Sequence, residues 1–150
     1  MYLTKQGFEK FKQELDYLIA KLPAYIKETG VMAALGDRSE NAGYHASKAL
    51  MRKTQSRIRY LENLLKKSTL ISKNEDGKIG IGSTVELLNL ENKQKESYTI
   101  VDSLEIDLEK GFISFHSPVG KCLLNKKIGE KIILELPNKK LEYLITGINN

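Results

Sequence analysis

Apolar residues recur at alternating steps of three and four along two stretches of the chain, the spacing of a coiled-coil seam. The first stretch follows Thr4, a suitable helix N-cap, and ends near Gly36, a suitable C-terminal stop. Two such seams joined by a short turn predict an antiparallel helical hairpin. The seam positions are Phe8, Phe11, Leu15, Leu18, Leu22, Tyr25, Thr29 and Met32, and then Tyr44, Ser47, Met51, Thr54, Ile58, Leu61 and Leu65.

The two seams are not uniform along their length. Pro23 lies within the first one, and its missing N–H predicts a kink or a lost backbone bond. Apolar residues become denser away from the turn, so we expect a firm base and a more mobile tip. A stalk used only for dimerisation is an alternative interpretation. The turn between the seams favours pairing within one chain, and we therefore expect a monomer.

The pattern changes after the turn-rich segment Asn74-Glu75-Asp76-Gly77. Short β-type runs separated by turn signals follow, and the segment from Pro118 to Lys127 has room for one short helix. The sequence thus predicts an α+β chain with a hairpin over residues 1–75 and a mainly antiparallel β domain over 76–150. The expected strands are Ile79–Ile81, Thr84–Leu88, Ser97–Val101, Phe112–Phe115, Lys131–Leu136 and Leu141–Ile148.

Charge is unevenly distributed over the 150 residues, whose net charge is +5. Residues 1–74 carry 14 Lys/Arg and 7 Asp/Glu, whereas residues 75–150 carry 10 and 12. A basic half is compatible with nucleic acid or with an acidic protein channel. No apolar run approaches the ~20 residues that span a bilayer, and no signal peptide is found. We expect a cytoplasmic protein with no membrane partner.

Few residues of this chain could form a metal site without ligands from another molecule. Cys122 is the only cysteine, so a cysteine-cluster site is excluded, and two histidines far apart in sequence do not predict a zinc site. The acidic pair between the seams, Asp37 and Glu40, has two interpretations. Asp37 could be the N-cap of the second helix with Glu40 at N3, as in a capping box. Alternatively, both carboxylates could face outward and share a Mg²⁺ beside a phosphodiester.

Basic residues follow the acidic pair without compensating acids, since no Asp or Glu occurs from Asn41 to Leu61. Spacings of four and seven predict that Lys48, Arg52 and Arg59 share one helical face, with further basic residues adjacent to it. Phosphate contact is the functional interpretation of this face, and a solvated surface is the alternative. The adjacent residues are Lys53 and Arg57.

The run Leu35–Ala42, followed by Tyr44, resembles the tip signature of the Gre family of bacterial transcript-cleavage factors. Weaker matches in the same order extend the resemblance over essentially the whole chain, from Leu3-Thr4 and Gly7-Phe8 to Ser117-Pro118. The resemblance implies a coiled-coil hairpin that enters the secondary channel of bacterial RNA polymerase. It also implies an FKBP-like C-terminal domain that docks at the channel entrance.

The resemblance further implies a role for each part of the tip. Asp37 and Glu40 would help to hold the second Mg²⁺ of the polymerase, so that the polymerase cleaves the 3′ end of a backtracked nascent RNA. Ser39 and Asn41 would shape the tip. The Mg²⁺ would be shared with the polymerase active site and not held stably by the isolated chain, which would be an accessory factor without its own nuclease activity. The RNA contacts would be Lys48, Arg52 and Lys53, and the docking residues Ser117 and Pro118.

Three departures from the family pattern stand out: Gly43 replaces an acid, His116 stands where GreB-type members tend to have Asp, and Asn138-Lys139 replaces a Gly-containing turn. Gly43 is expected to loosen the tip, because glycine costs about 1 kcal/mol of helix propensity relative to alanine. The sequence does not separate the GreA from the GreB subtype. Other functions that remain open are inhibition of the polymerase from its channel, prolyl isomerisation, and polymerase-independent binding of nucleic acid by a basic coiled coil.

Overall fold

The computed structural model describes residues 1–37, 39–72 and 76–150, which form two compact units. One unit comprises Phe8–Ser68, and the other combines Met1–Gly7 with Thr69–Asn150. The domain boundary expected at Glu75 lies outside the described residues. No helix in the described parts of the chain is long and apolar enough to cross a membrane.

The first unit is the predicted helical hairpin. Helix α1 spans Lys5–Ala34, a single helix that includes Pro23, and α2 spans Ala42–Lys67. Its two helices run antiparallel. Glu14, in the first half of α1, bonds to Arg57 in the second half of α2, whereas the end of α1 bonds to the start of α2. Every seam position predicted from the sequence is buried or half-buried, so the seam prediction is confirmed.

The composition of the seam changes along the hairpin. Phe11, Ile58 and Leu61 are buried towards the base, together with Leu64, which the seam prediction missed. Hydroxyl residues are buried nearer the tip, and each bonds to a carbonyl of its own helix. Thr29 Oγ1 donates to Tyr25 O at 2.8 Å, Ser47 Oγ to Tyr44 O at 3.1 Å, and Thr54 Oγ1 to Leu50 O at 2.9 Å. Small buried groups pair their polar atoms but bury less apolar area per residue than leucine does.

The second unit contains a five-stranded mixed sheet and the predicted short helix, α3 (Pro118–Leu123). The sheet order is β5-β4-β3-β7-β6, with one parallel pair, β4 and β5, and otherwise antiparallel neighbours. A separate parallel pair joins β1 (Tyr2–Leu3) to β2 (Thr69–Leu70). The strands of the sheet are β3 (Thr84–Asn89), β4 (Lys95–Val101), β5 (Phe112–Ser114), β6 (Lys131–Leu136) and β7 (Lys139–Asn149).

One expected strand is absent from the structure. The prediction for Ile79–Ile81 is wrong, because these residues belong to no strand and only the preceding residue, Lys78, forms an isolated bridge, with Lys127. The backbone of Ile79 bonds to Lys126 and Asn125, and its side chain is fully buried in the core. Gly82 then turns the chain with φ of +91°, a conformation that favours glycine and ends any extended run. The apolar pattern here therefore reflects a side chain that a turn buries in the core, and not a strand.

The N-terminal segment is anchored by two acidic residues of its own unit. Asp102 accepts a hydrogen bond from Tyr2 N at 2.8 Å, and Glu105 accepts bonds from both the amide and the hydroxyl of Thr4. Thr4 Oγ1 in turn accepts from Gly7 N at 3.0 Å, which confirms Thr4 as a helix cap. A Cβ on Gly7 would lie 2.0 Å from Glu105 Oε1, so a larger residue there would displace the Glu105 carboxylate.

We expect a pH-dependent contribution to stability from the ion pair within the hairpin. The Arg57 guanidinium binds both oxygens of Glu14 at 2.7 and 2.9 Å, and this bond lowers the pKa of Glu14. The stabilisation is therefore present above the ordinary pKa of Glu14 and is lost as the pH falls through its lowered pKa. Because the pair is partly exposed, Glu14→Gln should lower the unfolding free energy at pH 7 by only about 0.5–1 kcal/mol.

Urea unfolding of both proteins between pH 7 and pH 2 checks this expectation. The gap between wild type and Glu14→Gln should close as the solution is acidified. Glu9→Gln, at an exposed position of the same helix, is the matched control and should stay within about 0.5 kcal/mol of wild type at neutral pH. A gap for Glu14→Gln that is independent of pH would contradict the assignment.

Gly120 in α3 is a site where overpacking should be costly. A Cβ there would lie 2.2 Å from Ser114 O and 2.9 Å from Phe115 Cα, both backbone atoms that cannot rotate away. We expect Gly120→Ala to lower the unfolding free energy of the second unit by about 1–3 kcal/mol. Gly30→Ala is the contrasting variant, since no atom lies near its Cβ, and it should stabilise α1 by about 0.5–1 kcal/mol. Denaturant unfolding that gave the two variants the same sign would contradict the packing argument.

Candidate functional site

The predicted acidic pair lies in the connection between α1 and α2, residues 35–41. Asp37, Ser39 and Glu40 are all exposed, and Arg38 lies outside the described residues. Asp37 Oδ1 accepts hydrogen bonds from Ser39 N and Ser39 Oγ, each at 2.9 Å. These bonds lower the pKa of Asp37, so its carboxylate is charged at neutral pH.

The capping-box interpretation of this pair is wrong. Helix α2 begins at Ala42, and its N-cap is Asn41, whose Oδ1 accepts a hydrogen bond from Tyr44 N at 2.9 Å. Asn41 also donates from Nδ2 to Met32 O in the last turn of α1 at 2.6 Å. A carboxylate cannot make that second bond, because it has no hydrogen to donate. An asparagine is therefore suited to close the hairpin where an aspartate is not.

The position of the cap leaves both acids outside the helix. Among the described residues, none donates a hydrogen bond to Asp37 Oδ2 or to the carboxylate of Glu40. Two outward carboxylates match the one or two that Mg²⁺ usually takes from a protein, with water and phosphate oxygens completing its shell. The described residues contain no group of three or more His, Cys, Asp or Glu that could hold a metal ion. The pair would supply at most two carboxylates to a metal ion.

Gly43 occupies the first turn of α2 close to the end of α1. A Cβ there would lie 3.2 Å from Met32 Sδ and 3.5 Å from Asn41 Oδ1. The missing side chain therefore allows the two helices to approach closely beside the Asn41 cap. The loosening of the tip expected from Gly43 stays a prediction.

The predicted RNA-contacting residues do not all lie on one side of the hairpin. Arg52 and Lys53 are exposed, and the ammonium of Lys48 lies 5.3 Å from the centre of the Tyr44 ring. Lys53 and Arg57 line one groove. Arg59 lines a different groove, together with the seam residues Leu22 and Ile58. Helical spacing places Lys48 and Arg52 on the same side of α2 as Arg59. Lys53 is turned away from that side by about the rotation between two successive residues of a helix.

Arg57 is the one basic residue of this stretch whose charge is compensated by a carboxylate within the described residues. Its partner Glu14 lies 43 positions earlier in the chain, on the other helix. Sequence reasoning missed this pair because it counted acids only along α2. The uncompensated basic residues between Asn41 and Leu61 are therefore Lys48, Arg52 and Arg59 on one side and Lys53 on the other.

Ser117 and Pro118, the predicted docking residues, form the start of α3. Ser117 Oγ accepts from Gly120 N at 3.0 Å and donates to Ser114 O at 2.6 Å, while Ser117 N donates to the same carbonyl. Pro118 and His116 are exposed, and the His116 ring lies 3.9 Å from the Phe115 ring, centre to centre. The loop is thus fixed by local bonds and displays one proline and one imidazole.

Asn41 offers a direct test of how the tip is closed. Asn41→Ala removes both bonds and should lower the unfolding free energy by about 1–2 kcal/mol. Asn41→Asp keeps the oxygen that caps Tyr44 but loses the donor to Met32. Hydrogen exchange should therefore show the Tyr44 amide still protected in Asn41→Asp and unprotected in Asn41→Ala. Equal protection in both variants would mean that the cap is not made by this side chain.

Comparison with known proteins gives matches along the entire chain. The family model described as "Transcription elongation factor, N-terminal" matches residues 1–70, and "Transcription elongation factor, GreA/GreB, C-term" matches residues 73–150. Transcription elongation factor GreA of Nautilia profundicola is 37% identical over 149 residues, covering 97% of this chain and 92% of its own length. The protein of the same name from Thermosipho melanesiensis is 40% identical, covering 99% and 96%.

Among solved structures, GreA factor homolog 1 of Thermus thermophilus is 28% identical, covers 100% of this chain and 99% of its own, and superposes with a TM-score of 0.45. The family assignment rests on the sequence matches and not on this superposition. Both family models and full-length relatives at 37–40% identity agree. The chain belongs to the GreA/GreB family of transcription elongation factors.

Proposed function

We propose that the protein binds bacterial RNA polymerase through its secondary channel and stimulates Mg²⁺-dependent endonucleolytic cleavage at the 3′ end of backtracked nascent RNA. The observation that carries this proposal is the placement of Asp37 and Glu40. Both acids lie outside α2 and are exposed, and neither Asp37 Oδ2 nor the Glu40 carboxylate accepts a hydrogen bond from a described residue. They stand at the far end of a helix of 30 residues, about 45 Å long.

The tip acids would act as ligands supplied to a metal in the polymerase. A Mg²⁺ so placed supplies an activated water and stabilises the charge that develops on a phosphodiester. Asp37 contributes an ionised carboxylate, because Ser39 lowers its pKa, and it offers Oδ2 while Oδ1 stays bonded to Ser39. Glu40 adds the second carboxylate, and Asn41 fixes the connection that carries both. The chain is thus an accessory factor and not a nuclease by itself.

Basic residues of α2 would guide the displaced RNA. Lys48, Arg52 and Lys53 are the proposed phosphate contacts, since they follow the tip and lack acidic neighbours along the helix. Their division between two sides of the hairpin suggests that Lys48 and Arg52 act together and Lys53 separately. Arg57 is not included, because Glu14 already binds its guanidinium.

Ser117 and Pro118 are the proposed contacts with the polymerase at the channel entrance. The Ser117 cap holds the loop in one conformation, which limits the entropy that docking has to remove. The protein would act as a monomer in the cytoplasm, where the polymerase works.

The decisive experiment uses a stalled, backtracked elongation complex with labelled RNA and Mg²⁺. We expect wild type to accelerate cleavage, and the double variant Asp37→Asn, Glu40→Gln to lose at least about 100-fold of that rate, because metal ligation supplies several kcal/mol. The matched control is Glu9→Gln, Asp16→Asn, which removes two exposed carboxylates of α1 away from the tip and should cleave as wild type does.

Binding is measured in the same series by competition with labelled wild-type factor. Retained binding by the tip variant would assign the loss of rate to chemistry and not to docking. Wild type that binds without accelerating cleavage would contradict the proposal and favour a channel inhibitor. Affinity for RNA without polymerase that falls steeply with salt would favour a simple basic coiled coil.

A further inference from the structure

His45 makes a contact with the tip connection that no part of the sequence analysis anticipated. Its Nε2 lies 3.3 Å from the carbonyl oxygen of Ser39. A carbonyl can only accept, so Nε2 carries the proton of this contact. Side chains in a helix point back towards its N-terminus, which is why a residue in the first turn of α2 reaches the preceding connection.

Ser39 lies between His45 and a tip acid. Its carbonyl accepts from His45, while its amide and hydroxyl both donate to Asp37 Oδ1 at 2.9 Å. Within the described parts of the chain, His45 is the only group that donates to this carbonyl. Asn41 fixes the connection at its end, and His45 fixes it two residues earlier.

We propose that His45 is a positioning residue that holds Ser39, and through Ser39 the orientation of the Asp37 carboxylate, for metal binding in the polymerase. This inference rests on the proposed function of the tip acids. In this role His45 would touch neither the metal nor the RNA. Its role is to restrict an exposed connection that would otherwise present Asp37 in several orientations. Residues that orient a metal ligand in this way typically affect metal affinity or activity by 10–100-fold.

Two substitutions separate the donor from the ring. His45→Phe keeps an aromatic ring and removes the N–H, whereas His45→Gln removes the ring and keeps a side-chain N–H of similar reach. At saturating factor, we expect His45→Phe to raise the Mg²⁺ concentration for half-maximal cleavage about 10-fold or more. His45→Gln should stay within about threefold of wild type. The factor concentration for half-maximal binding should not change in either variant.

The Mg²⁺ dependence distinguishes positioning from a general structural role, because a poorly folded tip would alter binding of the factor instead. An unchanged Mg²⁺ dependence in His45→Phe would overturn the inference, as would an equal rise in both variants. Asp37→Asn is included in each series. If wild type and Asp37→Asn cleave at the same rate, the proposed function fails and the inference fails with it in this assay.

A second measurement on the free protein tests the contact without the polymerase. The pKa of Asp37 can be followed by NMR titration of its carboxyl carbon. His45→Phe and His45→Gln both remove the imidazole, so any effect of its charge is common to them. If His45 orders Ser39, the pKa of Asp37 should rise further towards its ordinary value in His45→Phe than in His45→Gln. Equal values in the two variants would overturn the inference even if cleavage by the wild type is confirmed.

Discussion

The amide of Asn41 is the interaction on which the arrangement of the tip depends. Its oxygen caps α2 through Tyr44 N, and its nitrogen bonds to the carbonyl of Met32 at the end of α1. One side chain thus bonds to an amide in the first turn of one helix and to a carbonyl in the last turn of the other. Because this neutral group performs the capping, neither carboxylate of the connection is consumed by the helix.

The same arrangement separates the two acids of the connection from the basic residues of α2. The acids stand beyond the start of α2, and the basic residues begin one turn into it. A carboxylate within the first turns of α2 would have lain next to Lys48 and could have paired with it. Arg57 shows that pairing does occur where an acid is in reach, since Glu14 holds it with two bonds. Whether a basic residue of this helix is compensated therefore depends on whether its position brings an acid within reach.

Periodicity predicted the parts of the fold that depend on burial of side chains. Both seams follow from spacing, because burying an apolar face imposes that spacing on the sequence. The five strands follow from short β-type runs between turn signals, and the short helix from a segment without such a run. The Asn41 cap was not predicted over Asp37, since either residue suits a helix start. The segment that starts at Ile79 was mistaken for a strand, because a turn that buries an apolar side chain and a strand have similar apolar sequences. The bonds of Glu14 to Arg57 and of His45 to Ser39 depend on three-dimensional proximity, which one sequence does not reveal.

The attachment of the first seven residues bears on how the chain folds as it is synthesised. Tyr2 and Asp102 are hydrogen-bonded across 100 positions, and Thr4 and Glu105 across 101. The contacts that close the hairpin join residues that are nearer in sequence than these pairs. The hairpin can therefore form as soon as α2 has been synthesised. Strand β1 must wait unpaired for β2 and the acids that follow it. The two segments of one compact unit, Met1–Gly7 and Thr69–Asn150, are therefore separated during synthesis by the whole of the other unit.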